Sequence, residues 1–273
     1  MEKKIEKKDI VLKKRDLQGY KGNYGHVIVI GGSRGFTGAP VITANSAVRS
    51  GAGLVTLCIE NEIETMVASN LLEAMTCVFS YEIRFKKLLN TATVVAIGPG
   101  MGIEKTLNVL THTLDNSACP LVIDADGINV LNKNMELLKG KKVVLTPHLG
   151  EFSRLTGLDI EEIKKDRLNI AKEFAAVHNV VLLLKGYRTL ITDGKETYIN
   201  TSGNSAMANG GMGDSLTGII ASLIAQGYDL LEAAYMGAYI HGYIGEELSK
   251  ERFCVTARDI IECLPIYMKK FQK

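Results

Sequence analysis

Short apolar runs, rich in β-branched residues and almost unbroken by polar ones, recur along the chain at residues 27–30, 54–57, 94–97, 121–123, 143–145 and 180–184. A strand with one wet face alternates apolar and polar residues. Continuous runs such as Val27-Ile28-Val29-Ile30 instead predict strands covered on both faces, as in a parallel sheet. The segments between them space their apolar residues three, four or seven apart, which predicts helices. Residues 40–50 carry Val41, Ala44, Ala47 and Val48 as one stripe, residues 107–114 and 128–138 follow the same rule, and residues 160–178 align Ile163, Ile170, Phe174 and Val177. Beyond residue 203 the pattern is helical, at 213–226, 230–250 and 257–271. The middle one of these aligns Ala233, Ala234, Gly237, Ala238 and His241, small residues that suit close helix packing.

Strands alternating with helices predict an α/β fold, a three-layer α/β/α sandwich around a mostly parallel central sheet joined by right-handed crossovers. No Pro-rich or Gly/Ser-rich linker and no fixed-period repeat divides the chain, so residues 1–273 read as a single domain. A hydrophobic content of 46% is ample for its core. Lys and Arg number 32 against 30 Asp and Glu, and a net +2 gives no general attraction to nucleic acid or membrane. The apolar stretches are too short to span a bilayer, and the charged N-terminus lacks a signal-peptide core. Five cysteines at irregular spacing, with no CxxC pair, fit reduced thiols, so the chain reads as cytoplasmic. Residues 2–15, where Lys alternates with acidic and apolar residues, read as a solvated arm.

In doubly wound sheets ligands bind beyond the carboxyl ends of the strands, so the turns after each run are where chemistry is expected. The first turn, Gly31-Gly32-Ser33-Arg34-Gly35-Phe36-Thr37-Gly38-Ala39, leads into a helix opening at Pro40, whose N–H groups and dipole would favour a phosphate. It is not GxGxxG, and no GxxxxGK[ST] occurs, so both common nucleotide fingerprints are absent and a simple tight turn explains it equally well. Gly98-Pro99-Gly100-Met101-Gly102 strips side chains from another strand end. Asp124-Ala125-Asp126 sets two carboxylates where they would hold a cation, bond ligand hydroxyls or cap a helix. Thr146-Pro147-His148-Leu149-Gly150-Glu151 offers Thr146 or His148 to a ligand and Glu151 to metal-bound water, or else caps a helix. Lys185 ends a fully apolar strand, where a cation suits a polyphosphate unless it snorkels to water. Sharpest is Asn209-Gly210-Gly211-Met212-Gly213-Asp214, glycines running straight into an apolar helix. The N–H groups of Gly211, Met212 and Gly213 would form an anion hole, with Asp214 in the same turn. Phosphoryl transfer needs that combination: donors for the transferring group, and a base for the proton of the attacking hydroxyl.

These turns, in this order, resemble the ribokinase-like superfamily, and within it the ADP- or ATP-dependent NAD(P)H-hydrate dehydratase family. Lys21-Gly22 with Gly25, and the segment Arg49-Ser50-Gly51-Ala52-Gly53-Leu54-Val55, belong to the same pattern. Leu149 and Gly127 depart from it, standing where the family often has proline and alanine; neither removes a polar group. The resemblance implies ADP-dependent dehydration of the S form of hydrated NADH or NADPH, with Asp214 catalytic. It implies hydrated nicotinamide nucleotide against Ala39, Gly102, His148 and Asp214. The adenine nucleotide would lie against Lys185, Gly186, Tyr187, Arg188, Thr189 and the Gly211, Met212 and Gly213 turn. Magnesium is implied as cofactor, with Asp124, Asp126 and Glu151 as candidate ligands, and ADP as co-substrate. It further implies a homotetramer, and, since no epimerase domain is present in the chain, an epimerase partner on a separate chain. Two other readings compete: a kinase for a small alcohol, releasing a stable phosphate ester, and a nucleotide-sensing module, against which Asp214 argues.

Overall fold

A computed structural model describes residues 2–80 and 82–273. In chain order the strands are β1 (Glu2–Lys4), β2 (His26–Ile30), β3 (Leu54–Ile59), β4 (Met75–Val78), β5 (Val94–Ile97), β6 (Leu121–Ile123), β7 (Val143–Leu145), β8 (Val181–Leu184), β9 (Leu190–Thr192) and β10 (Thr197–Ile199). They form one sheet in the order β1-β10-β9-β8-β7-β6-β5-β2-β3-β4. All neighbours run parallel except β9, which is antiparallel to both β8 and β10. The α-helices are α1 (Gly38–Arg49), α2 (Glu64–Ala68), α3 (Glu82–Thr91), α4 (Ile103–Asn116), α5 (Asp126–Asn129), α6 (Leu149–Thr156), α7 (Ile160–Lys165), α8 (Arg167–His178), α9 (Met212–Ala225), α10 (Leu230–Ser249) and α11 (Ala257–Lys269).

Each predicted run is a strand, and the pleat explains its continuity. Successive side chains point to opposite faces. Val27 and Val29 enter a core shared with α1, α9, α10 and α11, while Ile28 and Ile30 enter a second core shared with α3, α4, α6, α7 and α8. Both faces are dry, so polar residues hardly interrupt the runs; the exception, Thr56, pairs with His26 at 2.8 Å. The predicted mostly parallel α/β/α layering is what forms.

Three local expectations need correction. The stripe over 160–178 is broken at Asp166, whose backbone (φ −138°, ψ 45°) ends α7 and lets α8 begin at Arg167. Residues 128–138 are not one helix: the single turn of α5 passes into two 3-10 segments, Val130–Lys133 and Met135–Leu138. The supposed solvated arm is tied down. Its β1 pairs with β10, Ile5 and Ile10 are each 1% exposed, and Leu12 donates its N–H to Phe271. The alternation of charge and apolar residue there marks an edge strand and its exit, not a free tail.

Helix α9 is the internal strut. Every residue from Ser215 to Ala225 is buried. It lies so close to α1 that a Cβ on Gly218 would overlap the Thr43 carbonyl. Gly237 of α10 in turn fits against Ile220 of α9. These contacts hold the N-terminus of α9 at the carboxyl edge of the sheet.

Candidate active site

The strand order reverses between β2 and β5, and ligands favour the crevice at such a switch point. The two glycine turns that follow these strands meet there. Gly32 donates its N–H to Pro99 at 2.9 Å, and a Cβ on Gly31 would come 2.5 Å from the same carbonyl. Ser33 Oγ donates to the Gly100 carbonyl at 2.8 Å, and a Cβ on Gly100 would sit 3.2 Å from Ala39 Cβ. Gly102 donates its N–H to Asp126 Oδ2 at 2.9 Å. Ala39, Gly102, Ser33 and Asp126 therefore share one side of the crevice. Neither Asp124 nor Asp126 caps a helix. The N-cap of α5 is Ala125, in a positive-φ conformation (48°), and Asp126 Oδ1 receives the Asn129 amide.

Beyond β6 and β8 stands a buried charge cluster. Asp124 is 1% exposed, and its Oδ1 receives Lys185 Nζ at 2.7 Å while Oδ2 receives Thr217 Oγ1 at 3.0 Å. Burial alone would raise its pKa, but the Lys185 charge and hydrogen bonds from Lys185, Thr146 and Thr217 outweigh that and hold it below the usual carboxylate range. Burial disfavours the Lys185 charge too, yet Asp124 and Glu151 overcome it, so its ammonium is more firmly protonated than an ordinary lysine. Glu151 Oε2 lies 3.8 Å from Lys185 Nζ and accepts the His148 N–H at 2.8 Å. His148 Nδ1 accepts from Gly150 and Glu151, completing a capping box at the start of α6. His148 and Glu151 are thus helix-cap partners as well as neighbours of the charge cluster.

Asp214 stands in the first turn of α9, whose N-cap is Gly211 at φ 89° with no side chain capping the turn. Burial, then the charge of Asp124, pushes the Asp214 pKa up to about 6, with Lys185 opposing. That suits a general base near neutral pH. Gly213 is where a side chain would intrude, since a Cβ there would lie 3.2 Å from Lys185 Nζ and 3.7 Å from Asp124 Oδ2. Ser215 Oγ donates to the Met212 carbonyl at 3.0 Å and so accepts from His241 Nε2 at 2.9 Å. Burial lowers the His241 pKa to about 4, so a neutral ring steadies this turn.

A cleft of about 670 Å³ opens beside the turn. Lys185, Gly186, Tyr187, Arg188 and Thr189 form one wall, and Met212, Gly213 and Leu216 another. Its third wall, which includes Asn200, Met207 and His241, was not legible in the sequence. The sole hint was a histidine within the small-residue stripe of α10. Not every motif residue reaches the site. Gly53 packs so tightly on Lys21 that a Cβ would overlap its carbonyl, and both lie at the amino ends of β2 and β3, away from the cleft.

Among the described residues no three metal-type side chains converge on one point, so Asp124, Asp126 and Glu151 do not form a ready-made cage. Asp124 is committed to Lys185 and Thr217, and Asp126 to Gly102. Among the described residues no helix is long and apolar enough to cross a membrane.

A family model described as NAD(P)H-hydrate dehydratase matches residues 27–266. The bifunctional NAD(P)H-hydrate repair enzyme of Moorella thermoacetica is 39% identical over 96% of this chain and 52% of its own length. The chain thus spans about half the length of the first such relatives. The ADP-dependent (S)-NAD(P)H-hydrate dehydratase of Lactococcus lactis is 34% identical over 96% of both chains. Among solved structures, the ADP/ATP-dependent NAD(P)H-hydrate dehydratase of Bacillus subtilis, co-crystallized with ATP/Mg2+, superposes with a TM-score of 0.86 at 30% identity, covering 97% of this chain and 96% of that one.

Proposed function

This chain belongs to the NAD(P)H-hydrate dehydratase family, and from that premise we propose that it converts the S form of hydrated NADH or NADPH to NAD(P)H, consuming ADP and releasing AMP and phosphate. The observation that carries the reading is Asp214, a carboxylate with a pKa of about 6 in the uncapped first turn of α9, next in sequence to Gly213, which lines a cleft of about 670 Å³.

The substrate hydroxyl is a poor leaving group, because the conjugate acid of hydroxide has a pKa of about 15.7. A phosphate ester leaves far more easily, its second pKa being roughly 6. Asp214 takes the hydroxyl proton as the oxygen attacks the terminal phosphorus of ADP, breaking the bond to the bridging oxygen. The N–H groups of Gly211, Met212 and Gly213 stabilise the transferring group. The adjacent ring nitrogen of the tetrahydropyridine then expels phosphate from C6, and loss of the C5 proton restores the dihydropyridine. Ala39, Gly102 and His148 are assigned to the hydrated cofactor, and Lys185, Gly186, Tyr187, Arg188 and Thr189 to ADP.

Magnesium, which takes one or two carboxylates plus substrate phosphates rather than a protein cage, fits a site with few free carboxylates. Glu151 would hold it, and it would neutralise charge on the phosphates. Asp124, bound to Lys185 and Thr217, is less available. The bifunctional relatives support an epimerase on a separate chain, acting in the same compartment, as the functional partner.

The test is to incubate the protein with magnesium, hydrated NADH and ADP, ATP or no nucleotide. NADH absorbance and free phosphate rising together, with nucleotide only, support the proposal. Phosphate that stays attached to an organic product refutes it in favour of a kinase.

A further inference from the structure

Arg167 opens α8 under locally unfavourable terms. A cation at a helix N-terminus opposes the helix dipole. Its Nε is buried without a partner, and burial disfavours its charge. The helix break at Asp166 is what places it there. What the side chain does instead is bridge the cleft wall: Nη2 donates to the Leu184 carbonyl at 2.8 Å and Nη1 to the Tyr187 carbonyl at 2.9 Å. Gly186 lies between, where a Cβ would be 3.6 Å from Nη2.

Three carbonyls of this turn, and that of Leu184 just before it, are taken. Arg167 takes those of Leu184 and Tyr187, Thr189 Oγ1 takes that of Gly186 at 3.0 Å, and the Asn200 N–H takes that of Thr189. In a trans peptide the C=O and N–H point to opposite sides. Holding the Tyr187 carbonyl towards Arg167 therefore turns the Arg188 N–H the other way. Arg167 comes from the α8 layer, whereas the cleft opens on the α9 and α10 side. A polyphosphate accepts hydrogen bonds and donates none, so a wall of N–H groups attracts it and a wall of carbonyls repels it.

We infer that Arg167 is a positioning residue: its guanidinium clamps the turn from Lys185 to Thr189 so that the turn presents donors to the nucleotide phosphates. This rests on the reading of the cleft as a nucleotide site.

The experiment compares wild type with Arg167→Met and Arg167→Lys. Calorimetry measures ADP and ATP binding with magnesium and without hydrated cofactor, steady-state kinetics measures both KM values, and hydrogen–deuterium exchange follows the 185–189 amides. Losing two charge-assisted hydrogen bonds predicts a nucleotide Kd raised on the order of tenfold or more in Arg167→Met. Arg167→Lys, able to reach one carbonyl, should be intermediate. The KM for hydrated cofactor and the saturated kcat should stay within about twofold, a split that general destabilisation does not produce. Unchanged nucleotide affinity with unchanged exchange, or equal loss of both substrates, overturns the inference. Arg167→Lys carries the same test if Arg167→Met does not fold. If wild type itself binds no nucleotide, the assignment of the cleft fails, while the clamp is still judged by faster exchange of the turn in Arg167→Lys.

Discussion

Lys185 donates to Asp124 across 2.7 Å, joining the end of β8 to the end of β6 inside the protein, where Asp124 is 1% exposed. Two residues 61 apart in sequence thus fix two site turns relative to one another. Removing one partner of a buried pair strands the other charge, at a cost of about 3–5 kcal/mol. Lys185→Met should lose stability on that scale in urea melts. The same charge lowers the Asp214 pKa, so its removal should shift the acid limb of any remaining activity to higher pH. Adding Asp124→Asn should restore much of the stability without the activity. A double variant no more stable than Lys185→Met would show that the pair is not the stabilising unit.

Gly98 is held at φ 122°, and a Cβ there would overlap the Asp124 carbonyl and meet the Gly127 nitrogen. Gly98→Ala should therefore cost about 3 kcal/mol or more, combining backbone strain with a collision. Gly140→Ala is the control. It also has positive φ (77°) but nothing within 4 Å, so it should cost only about 1–2 kcal/mol. Equal losses would remove the case for a close approach at Gly98.

That comparison shows how far the sequence could be read. Glycine at a strand end was visible; that it makes room for the backbone of Asp124 was not. The buried strands were legible because both faces are dry. β1, β4, β9 and β10 were not: β1 is wholly charged, and the other three mix polar with apolar residues. At the site, Asp214 and its glycines announced themselves because a carboxylate at an uncapped helix start is chemically specific. The commitment of Lys185 to carboxylates rather than to phosphate alone arises from strand order. His241 and the Asn200 segment reach the cleft through helix packing, and Arg167 through a helix break, none of which a periodicity encodes.

The N-terminal segment offers a sharp contrast between a tail and a strand. Ile5 and Ile10 are each 1% exposed, and the Ile5 carbonyl accepts Thr201 Oγ1 at 2.6 Å, next to the Asn200 wall of the cleft. Ile5→Ala and Ile10→Ala should each destabilise by about 2–4 kcal/mol, as core truncations do. Lys8→Ala, at a fully exposed position, should change nothing measurable. Thermal melts of the three variants decide between strand and tail, and near-zero changes throughout would mean this segment contributes no core.

Asp214→Asn should abolish turnover and yet stabilise the fold. The Asp214 pKa is about 6 in the folded chain, against 3.8 for a free aspartate. A raised carboxylate pKa means that the folded state resists ionisation. Below about pH 4 both states are protonated and the group is neutral in the balance. Between about 4 and 6 the unfolded chain ionises first, so stability falls as pH rises, and above about 6 the full cost is present. That cost, on the order of 3 kcal/mol, is what asparagine removes. The melting temperature of Asp214→Asn should match wild type near pH 4 and exceed it from pH 6 upward. Over the same window, wild-type kcat/KM should fall with decreasing pH through about 6 as the base becomes protonated. A variant less stable than wild type at pH 8 would mean that Asp214 is a structural anchor, and would take away the physical basis for its role as base.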